Sequence, residues 1–295
     1  MKKFFNNLFK LYLDSVEDIE LINTRCFIDK VNYMLSDKKA MSPNQNLTMR
    51  IAQIISVFAV LESISSEYQS INLALDYLER SPYANSAVYD FLLLLKKKEI
   101  QQLAILIAQN WWGKKTDKIL EAVPYDTSHL IKNNVEDYGM KSKFISLKNC
   151  ATGSLGKVFY ENITNQNYNI PGAKGGSIMS LIGPHDTMHI LTKFPTNTLG
   201  EILLGSYVMG MSVTKGFWNC VTSILELQLS YNLFTQKRKQ VDAIHPFPIK
   251  VWFDSYLAGL DMRVDVLSDQ WNFWNECSYS IEYLRKSYYV RLIAL

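Results

Sequence analysis

Apolar residues recur every three or four positions along most of this chain, and this spacing restricts its fold more than any other feature of the sequence. Glycine and proline are scarce, at 13 and 8 among 295 residues, so long stretches run without a helix breaker. The clearest stripes are Ile51, Ile54, Ile55, Phe58 and Leu61; Val88, Phe91, Leu92 and Leu95; Leu103, Leu106, Ile107 and Trp111; and a C-terminal helix over 267–284. Strict alternation is nearly absent, and the best strand candidates, 143–147 and 249–252, are short. The sequence therefore predicts an all-α, multi-helix protein.

The longest apolar element covers residues 199–232 and predicts one buried central helix of about thirty residues. Its longest uncharged run, 202–214, is shorter than the roughly twenty residues that a bilayer-spanning helix needs. Gly205, Gly210 and Gly216 weaken this helix, but each lets another backbone or a flat ligand approach closely. Its large side chains can wall an apolar lipid channel or form ordinary core, and both interpretations remain open: Met209, Met211, Phe217 and Trp218.

The N-terminal residues predict an amphipathic helix whose apolar side contains Phe4, Phe5, Leu8, Phe9, Leu11 and Tyr12. Packing onto its own domain is the default for such a helix, and peripheral contact with a membrane surface is the alternative. The segment is not typical of a signal or transit peptide, because Asn6, Asn7 and Lys10 interrupt the apolar run and Asp14 follows. We therefore expect a cytoplasmic protein.

The composition is that of an ordinary globular chain, and a net charge of +3 is too small to indicate a nucleic-acid-binding protein. The four cysteines form no CxxC pair and are typical of reduced thiols. A domain boundary within the polar region 115–150 is one option, but we favour one continuous helical domain over 1–295. Frequent Lys, Asn and Ile residues are typical of an AT-rich genome, and the lack of a transit-peptide pattern favours a bacterial source.

Two of the chain's four histidines, His185 and His189, lie four residues apart. On a helix this spacing places both imidazoles on one face, within reach of one ion. A break at 193–197 would let a second helix turn back and bring Glu201 level with His189, and Asp186 lies between the histidines. Two histidine nitrogens and carboxylate oxygens suit a zinc-type ion with a position left open for water or substrate.

Each of these residues also has an ordinary structural explanation. Gly183–Pro184 resembles a helix start, which would place Asp186 in the first turn, where the helix dipole favours an acid. Thr198-x-x-Glu201 matches a capping box, so Glu201 would cap the second helix. The segment HDTMH also lacks the glutamate of the HExxH metalloprotease motif. The spacing alone leaves the metal site and the capped hairpin equally open.

The segment HDTMHILTKFPTNTLGEI resembles the signature of a coenzyme Q (ubiquinone) biosynthesis family, the Coq-four family. The family pattern is H-D-x-x-H, eleven residues and a glutamate that follows PTN-x-LG, and this chain matches it throughout. GSLG at 153–156, followed by Phe159–Tyr160, resembles a second family segment. Residues 271–284 resemble the family's C-terminal helix, in which a leucine–arginine pair follows a tryptophan. The similarity covers a core of about 150–290, and residues 1–120 match poorly. Lys193 and Phe194 depart from the family pattern, which has a glycine and a small apolar residue there.

The resemblance implies an all-α fold, a divalent metal on His185, Asp186, His189 and Glu201, and a channel for a polyprenyl lipid. The metal is commonly zinc, with iron as the alternative, and Asp186 serves either as the fourth ligand or as a catalytic proton acceptor. The implied chemistry is oxidative decarboxylation, the loss of the carboxylate from a polyprenylated 4-hydroxybenzoate ring coupled to hydroxylation of that carbon. The implied partners are a prenylated aromatic or isoprenoid ligand and other quinone-biosynthesis enzymes at a membrane surface. The alternatives are a non-catalytic, isoprenoid-binding scaffold, or a tailoring enzyme of a specialised-metabolite pathway that uses the same metal site.

Overall fold

A computed structural model describes residues 1–17, 22–36, 44–63, 69–81, 86–112, 135–166, 168–228, 231–232, 237–238 and 247–295. These residues form a single all-α domain, as the spacing of apolar residues predicts. The helices are α1 (Lys2–Leu13), α2 (Thr24–Ser36), α3 (Gln45–Ser63), α4 (Gln69–Arg80), α5 (Ser86–Lys97), α6 (Ile100–Trp112), α7 (Tyr138–Ser146), α8 (Leu155–Asn165), α9 (Met179–Thr192), α10 (Thr198–Met211), α11 (Gly216–Gln228), α12 (Ile249–Asp261), α13 (Phe273–Glu276) and α14 (Ile281–Tyr288). A 3-10 turn at Leu147–Asn149 follows α7, and the short strands β1 (Tyr231–Asn232) and β2 (Lys237–Arg238) pair antiparallel.

The amphipathic helix α1 packs onto its own domain, as expected by default. Its apolar side is buried against α12, where the ring of Phe9 stacks on Phe253 with centroids 3.8 Å apart. Tyr12 is fully buried, and the pKa of its phenol is raised to about 12 by that burial. Lys2 pairs with Asp261 at the end of α12. The face that could have met a membrane is therefore occupied by the protein's own core.

The predicted single helix over 199–232 is wrong, because it divides into α10 and α11 at residues 212–215. Ser212 ends α10 in an extended conformation, and its hydroxyl accepts a hydrogen bond from the backbone N–H of Lys215. The two helices then pack against each other, with the Cα of Gly216 so close to α10 that a Cβ there would lie 2.3 Å from the carbonyl oxygen of Val208. The turn lets the two helices bury their apolar residues against each other.

The glycines of this region lie where the backbone of a neighbouring helix approaches closely. A Cβ on Gly210 would lie 2.1 Å from the carbonyl oxygen of Tyr256, and a Cβ on Gly259 would lie 1.9 Å from that of Tyr207. Helices α10 and α12 therefore touch through their backbones. Gly205 faces the Cα of Cys220 in the same way. The four large side chains considered as a channel wall are buried in the core: Met209, Met211, Phe217 and Trp218.

A buried arginine ends α10 from the opposite side of the core. Arg50 on α3 is only 5% exposed, and its guanidinium donates hydrogen bonds to the carbonyls of Met209 and Gly210. The last carbonyls of a helix have no partner within it, so a cation at this position satisfies them and interacts favourably with the helix dipole. Through this contact and the packing of α3 and α6 on α11, the N-terminal helices share one core with the C-terminal ones.

The structure corrects several predicted boundaries. Both strand candidates are helical: 143–147 belongs to α7 and the following turn, and 249–252 is the first turn of α12. The predicted C-terminal helix over 267–284 is reduced to α13 and α14. Helix α9 begins at Met179, so Pro184 lies inside it at the cost of one backbone hydrogen bond. Most of the proposed boundary region 115–150 lies outside the described residues, as do His129 and His245. Every described helix is too short or too polar to cross a bilayer.

Candidate metal centre

The predicted helix hairpin is present and carries the candidate ligands. His185 and His189 lie on α9, and Glu201 lies in the first turn of α10. Lys193 ends α9 in the left-handed conformation, with φ 63°, and its N–H donates to the carbonyl of His189 over 2.9 Å. Left-handed backbone favours glycine, so a lysine at this position is strained.

The start of α10 differs from the predicted capping box. The side chain of Asn197, rather than that of Thr198, caps the helix by accepting a hydrogen bond from the N–H of Gly200 over 3.0 Å. Glu201 is therefore not the reciprocal capping residue, and its carboxylate faces the histidines. The turn is tight, because a Cβ on Gly200 would lie 1.8 Å from the carbonyl oxygen of Pro195. The position of Glu201 thus depends on the compactness of this turn.

Both histidines direct their Nε2 atoms at the Glu201 carboxylate. The His185 Nε2 lies 3.3 Å from Oε2, and the His189 Nε2 lies 3.2 Å from Oε1. The possible ligand atoms of the three residues lie within 4.8 Å of one another. His185, His189 and Glu201 therefore form a group that can hold a metal ion.

The other ring nitrogens fix which atoms are available to a metal. The Nδ1 of His189 lies 2.9 Å from the carbonyl oxygen of Phe194. A carbonyl can only accept, so Nδ1 carries the proton and a neutral ring presents the lone pair of Nε2. The Nδ1 of His185 lies 3.0 Å from Oδ1 of Asp186, which selects the same tautomer. Bonds of this kind orient histidine ligands in metalloproteins.

This arrangement fits a cation better than it fits three unliganded side chains. The His189 Nε2 is buried, and it makes no hydrogen bond within the described part of the chain. It lies within ion-pair distance of the Glu201 carboxylate, but the contact does not have the geometry of a hydrogen bond. Two nitrogen lone pairs facing a carboxylate repel it unless a proton or a metal lies between them. The donor set, two imidazoles and one carboxylate, is one that zinc and iron accept.

Without a metal, protons must supply the positive charge. Burial lowers the pKa of His185, but hydrogen bonds to Asp186 and Glu201 outweigh it and raise that pKa to about 10. Burial likewise raises the pKa of Glu201, but the two histidines outweigh it and hold this pKa well below its usual range. At neutral pH the site therefore binds positive charge, as a proton when no metal is present.

Asp186 lies beside the group of three but outside it. Its carboxylate accepts from the His185 ring and is 31% exposed, whereas the His189 side chain is 6% exposed. One side of the site is thus closed by the core, and the other, lined by His185 and Asp186, opens to solvent. The predicted roles of Asp186 as a fourth ligand or proton acceptor remain predictions.

Two groups that support the site were not predicted. One is the backbone carbonyl of Phe194, which no residue-type pattern reveals. The other is Arg285 on α14, whose guanidinium donates to the carbonyls of Ile190 and Leu191 over 2.8 Å and so caps the end of α9. The sequence placed Arg285 in a leucine–arginine pair, but nothing in the residues connected that pair to the histidines.

The chain was compared with known protein families and with curated proteins, and neither comparison found a match.

Proposed function

We propose that this chain is a mononuclear metal-dependent enzyme with His185, His189 and Glu201 as its protein ligands. The observation that carries the proposal is the convergence of two Nε2 atoms on one carboxylate while both Nδ1 atoms are engaged elsewhere. Three protein ligands beside a solvent-facing opening are typical of catalytic metal sites, whereas structural sites have four. The alternative, a structural metal that ties α9 to α10 in a lipid-binding scaffold, predicts a closed site.

Zinc is the proposed metal, and iron is the alternative. Two histidines and a glutamate are the ligand set of several zinc enzymes, and two histidines with one carboxylate also form the site of non-haem iron oxygenases. When bound, such a metal acts as a Lewis acid toward a carboxylate or phenolate oxygen. Decarboxylation coupled to hydroxylation removes two electrons from the ring carbon, and the proposed oxidant is dioxygen, so that ArCOOH, O₂ and H₂O would give ArOH, CO₂ and H₂O₂. The identity of the metal therefore bears directly on the mechanism.

The proposed substrate is a prenylated aromatic acid, and the proposed reaction is the oxidative decarboxylation of a polyprenyl-4-hydroxybenzoate ring in ubiquinone biosynthesis. The support for this substrate is the resemblance of the segment from His185 to Glu201 to the signature of the coenzyme Q biosynthesis family. In this reaction His189 and the closed side of the site exclude water. Asp186, partly exposed beside the opening, holds the His185 proton at Nδ1 and is placed to accept a proton from a ligand that enters there. Other quinone-biosynthesis enzymes at a membrane surface are the proposed partners.

The proposal is tested by metal analysis and turnover on the same preparations. Wild-type protein, reconstituted with zinc or with iron(II) under air, should hold one metal per chain and release CO₂ from a short-chain prenyl-4-hydroxybenzoate. Glu201→Gln should lose both properties. The matched control Glu161→Gln, on the exposed surface of α8, removes the same charge and should lose neither.

The outcomes separate the alternatives. Failure to bind metal after reconstitution would overturn the metal centre itself. One metal per chain, a co-purified isoprenoid and no turnover with either metal would instead favour the scaffold. Turnover of a different aromatic acid would favour the specialised-metabolite enzyme.

A further inference from the structure

A second concave site lies beside the metal-bearing helix. It is a cavity of about 420 Å³ between the first turns of α9, the end of α6 and the segment 267–275. This volume falls within the range of small-molecule pockets, about 300–1,000 Å³. The described residues that line the cavity do not include the three candidate metal ligands, His185, His189 and Glu201. The cavity is therefore a separate site, although Leu181 and Pro184 on its wall precede His185 on the same helix.

Its walls are unusually rich in tryptophan. Trp111, Trp271 and Trp274 all line it, and each is partly buried. Two of the rings are held by neighbouring side chains: the indole N–H of Trp271 donates to the hydroxyl of Tyr288 over 3.1 Å, and Lys143 lies 4.3 Å from the Trp274 ring centroid. Rings fixed in advance bind a flat partner without a large loss of side-chain entropy. The walls thus favour a planar aromatic ligand.

The charge at the cavity is supplied by an asymmetric ion pair. The side chain of Lys215 is 16% exposed, and its ammonium lies 2.6 Å from a carboxylate oxygen of Asp269, whose side chain is 72% exposed. The lysine side chain at the cavity wall is therefore mostly buried, whereas its partner is mostly exposed. An ammonium removed from water gains from every anion that can reach it. An anionic group on the ligand can share Lys215 with Asp269 or replace it.

We propose that this cavity binds a planar aromatic anion, with its ring against the tryptophans and its negative group at Lys215, and that this binding does not require the metal. The site goes beyond the proposed function, which places its aromatic acid at the metal centre, whereas this cavity is a second site without any of the metal's ligands. A ring held here would lie against α9 one turn before His185. The site would therefore place a second aromatic molecule, or a distant ring of the same ligand, beside the metal-bearing helix.

The test uses naphthoate as the probe and titration calorimetry on the full chain, both metal-stripped and zinc-loaded. Uncharged naphthylmethanol has the same ring system and isolates the contribution of the charge. Naphthoate should bind about tenfold more tightly than naphthylmethanol, which is the size of one charge-assisted hydrogen bond. Its affinity should be the same with and without zinc and should survive Glu201→Gln.

Three variants assign the binding to the cavity. Lys215→Met should abolish the difference between the two probes, whereas the matched control Lys250→Met, which removes an equal charge on the exposed side of α12, should retain it. Asp269→Asn should tighten naphthoate binding several-fold, because it removes the competing carboxylate. Leu181→Trp should fill the cavity and block both probes.

The proposal is overturned by three results: no binding of either probe, unchanged binding in Leu181→Trp, or naphthoate binding that requires zinc. The last result would place naphthoate at the metal and leave the proposed function intact. Conversely, zinc-independent binding in a chain that holds no metal would support the cavity site while the metal-centre proposal fails.

Discussion

The substitution Asp186→Asn separates the two roles that the sequence leaves open for Asp186. In the structure its carboxylate accepts a hydrogen bond from His185 Nδ1 over 3.0 Å and lies outside the three-residue group that can hold a metal. Asparagine retains a side-chain oxygen at the same position, so the hydrogen bond and the ring orientation can persist while the negative charge is lost. We therefore expect the variant to bind metal with one-to-one stoichiometry but lower affinity.

The magnitude follows from what the carboxylate does to the ring. Partners of this kind typically change metal affinity by about tenfold to a hundredfold, or about 1.4 to 2.7 kcal/mol. Because asparagine preserves the acceptor and removes only the charge, the lower end applies, and we predict a loss of about tenfold. Removal of a direct ligand, as in Glu201→Gln, should instead eliminate stoichiometric binding.

The assay is competition with a chromophoric zinc chelator, together with the visible absorption of the cobalt(II)-loaded protein, which reports ligand geometry. Asp254→Asn is the matched control, since Asp254 pairs with Lys250 on the exposed side of α12 and should leave affinity unchanged. If Asp186→Asn loses metal as completely as Glu201→Gln, or changes the cobalt spectrum to that of a site with one ligand fewer, then Asp186 is a direct ligand and its role as a support for the His185 ring is wrong.

Three further predictions follow from the same structure. The pKa of His185 in the metal-free fold is about 10, above its ordinary value of 6.5, so the protonated ring should stabilise that fold fully below pH 6.5 and progressively less as the pH rises toward 10. Zinc affinity should increase over the same pH range. Urea midpoints with and without zinc test this, and a metal-free midpoint that is independent of pH would contradict it. Lys193→Gly should raise the free energy of unfolding by about 0.5–1 kcal/mol by relieving left-handed strain, and an unchanged or lower thermal midpoint would show that the strain is absent. Gly210→Ala should lower the free energy of unfolding by about 2 kcal/mol or more, because the added Cβ meets the carbonyl of Tyr256. The control Gly139→Ala should not, because the nearest atom to its added Cβ is 3.4 Å away. Equal effects of the two substitutions would refute the close contact.

The sequence predicts the helical class well because periodic apolar spacing is a local property. The stripe from Ile51 to Leu61 lies in α3, the one from Val88 to Leu95 in α5, and the N-terminal amphipathic pattern in α1. Each of these helices buries the face that the spacing indicates. Such patterns need no knowledge of the partner surface, since one helix face simply becomes apolar.

Helix ends are predicted less well because their signals depend on tertiary partners. Pro184 marks a helix start in isolation, yet the helix begins at Met179, and tertiary packing offsets the lost hydrogen bond. The glycines from Gly205 to Gly216 leave open whether backbone or ligand approaches them. Only the positions of Val208, Cys220 and Tyr256 show that backbone does.

The geometry of the metal centre depends on residues at several separations along the chain, so it could not be predicted from the histidine spacing alone. The spacing of His185 and His189 places both rings on one face, but their separation from Glu201 is determined by the turn at 193–197. That turn depends on a left-handed Lys193 and on Asn197 as the cap, where the residues alone favour Thr198. The orientation of the His189 ring depends on a backbone carbonyl. None of these features has a signature in residue type alone.

The end of α9 is where these contributions meet. Its last carbonyls are satisfied by Lys193 from the turn and by Arg285 from a helix more than ninety residues away. His189 lies in that same last turn, and its ring is held by the carbonyl of Phe194 one residue beyond the cap. A change in the length of the turn would therefore alter the separation between the Nε2 of His189 and the carboxylate of Glu201. For this reason two histidines four residues apart are weak evidence for a metal, whereas the same pair followed by a turn of fixed length and a glutamate is much stronger evidence.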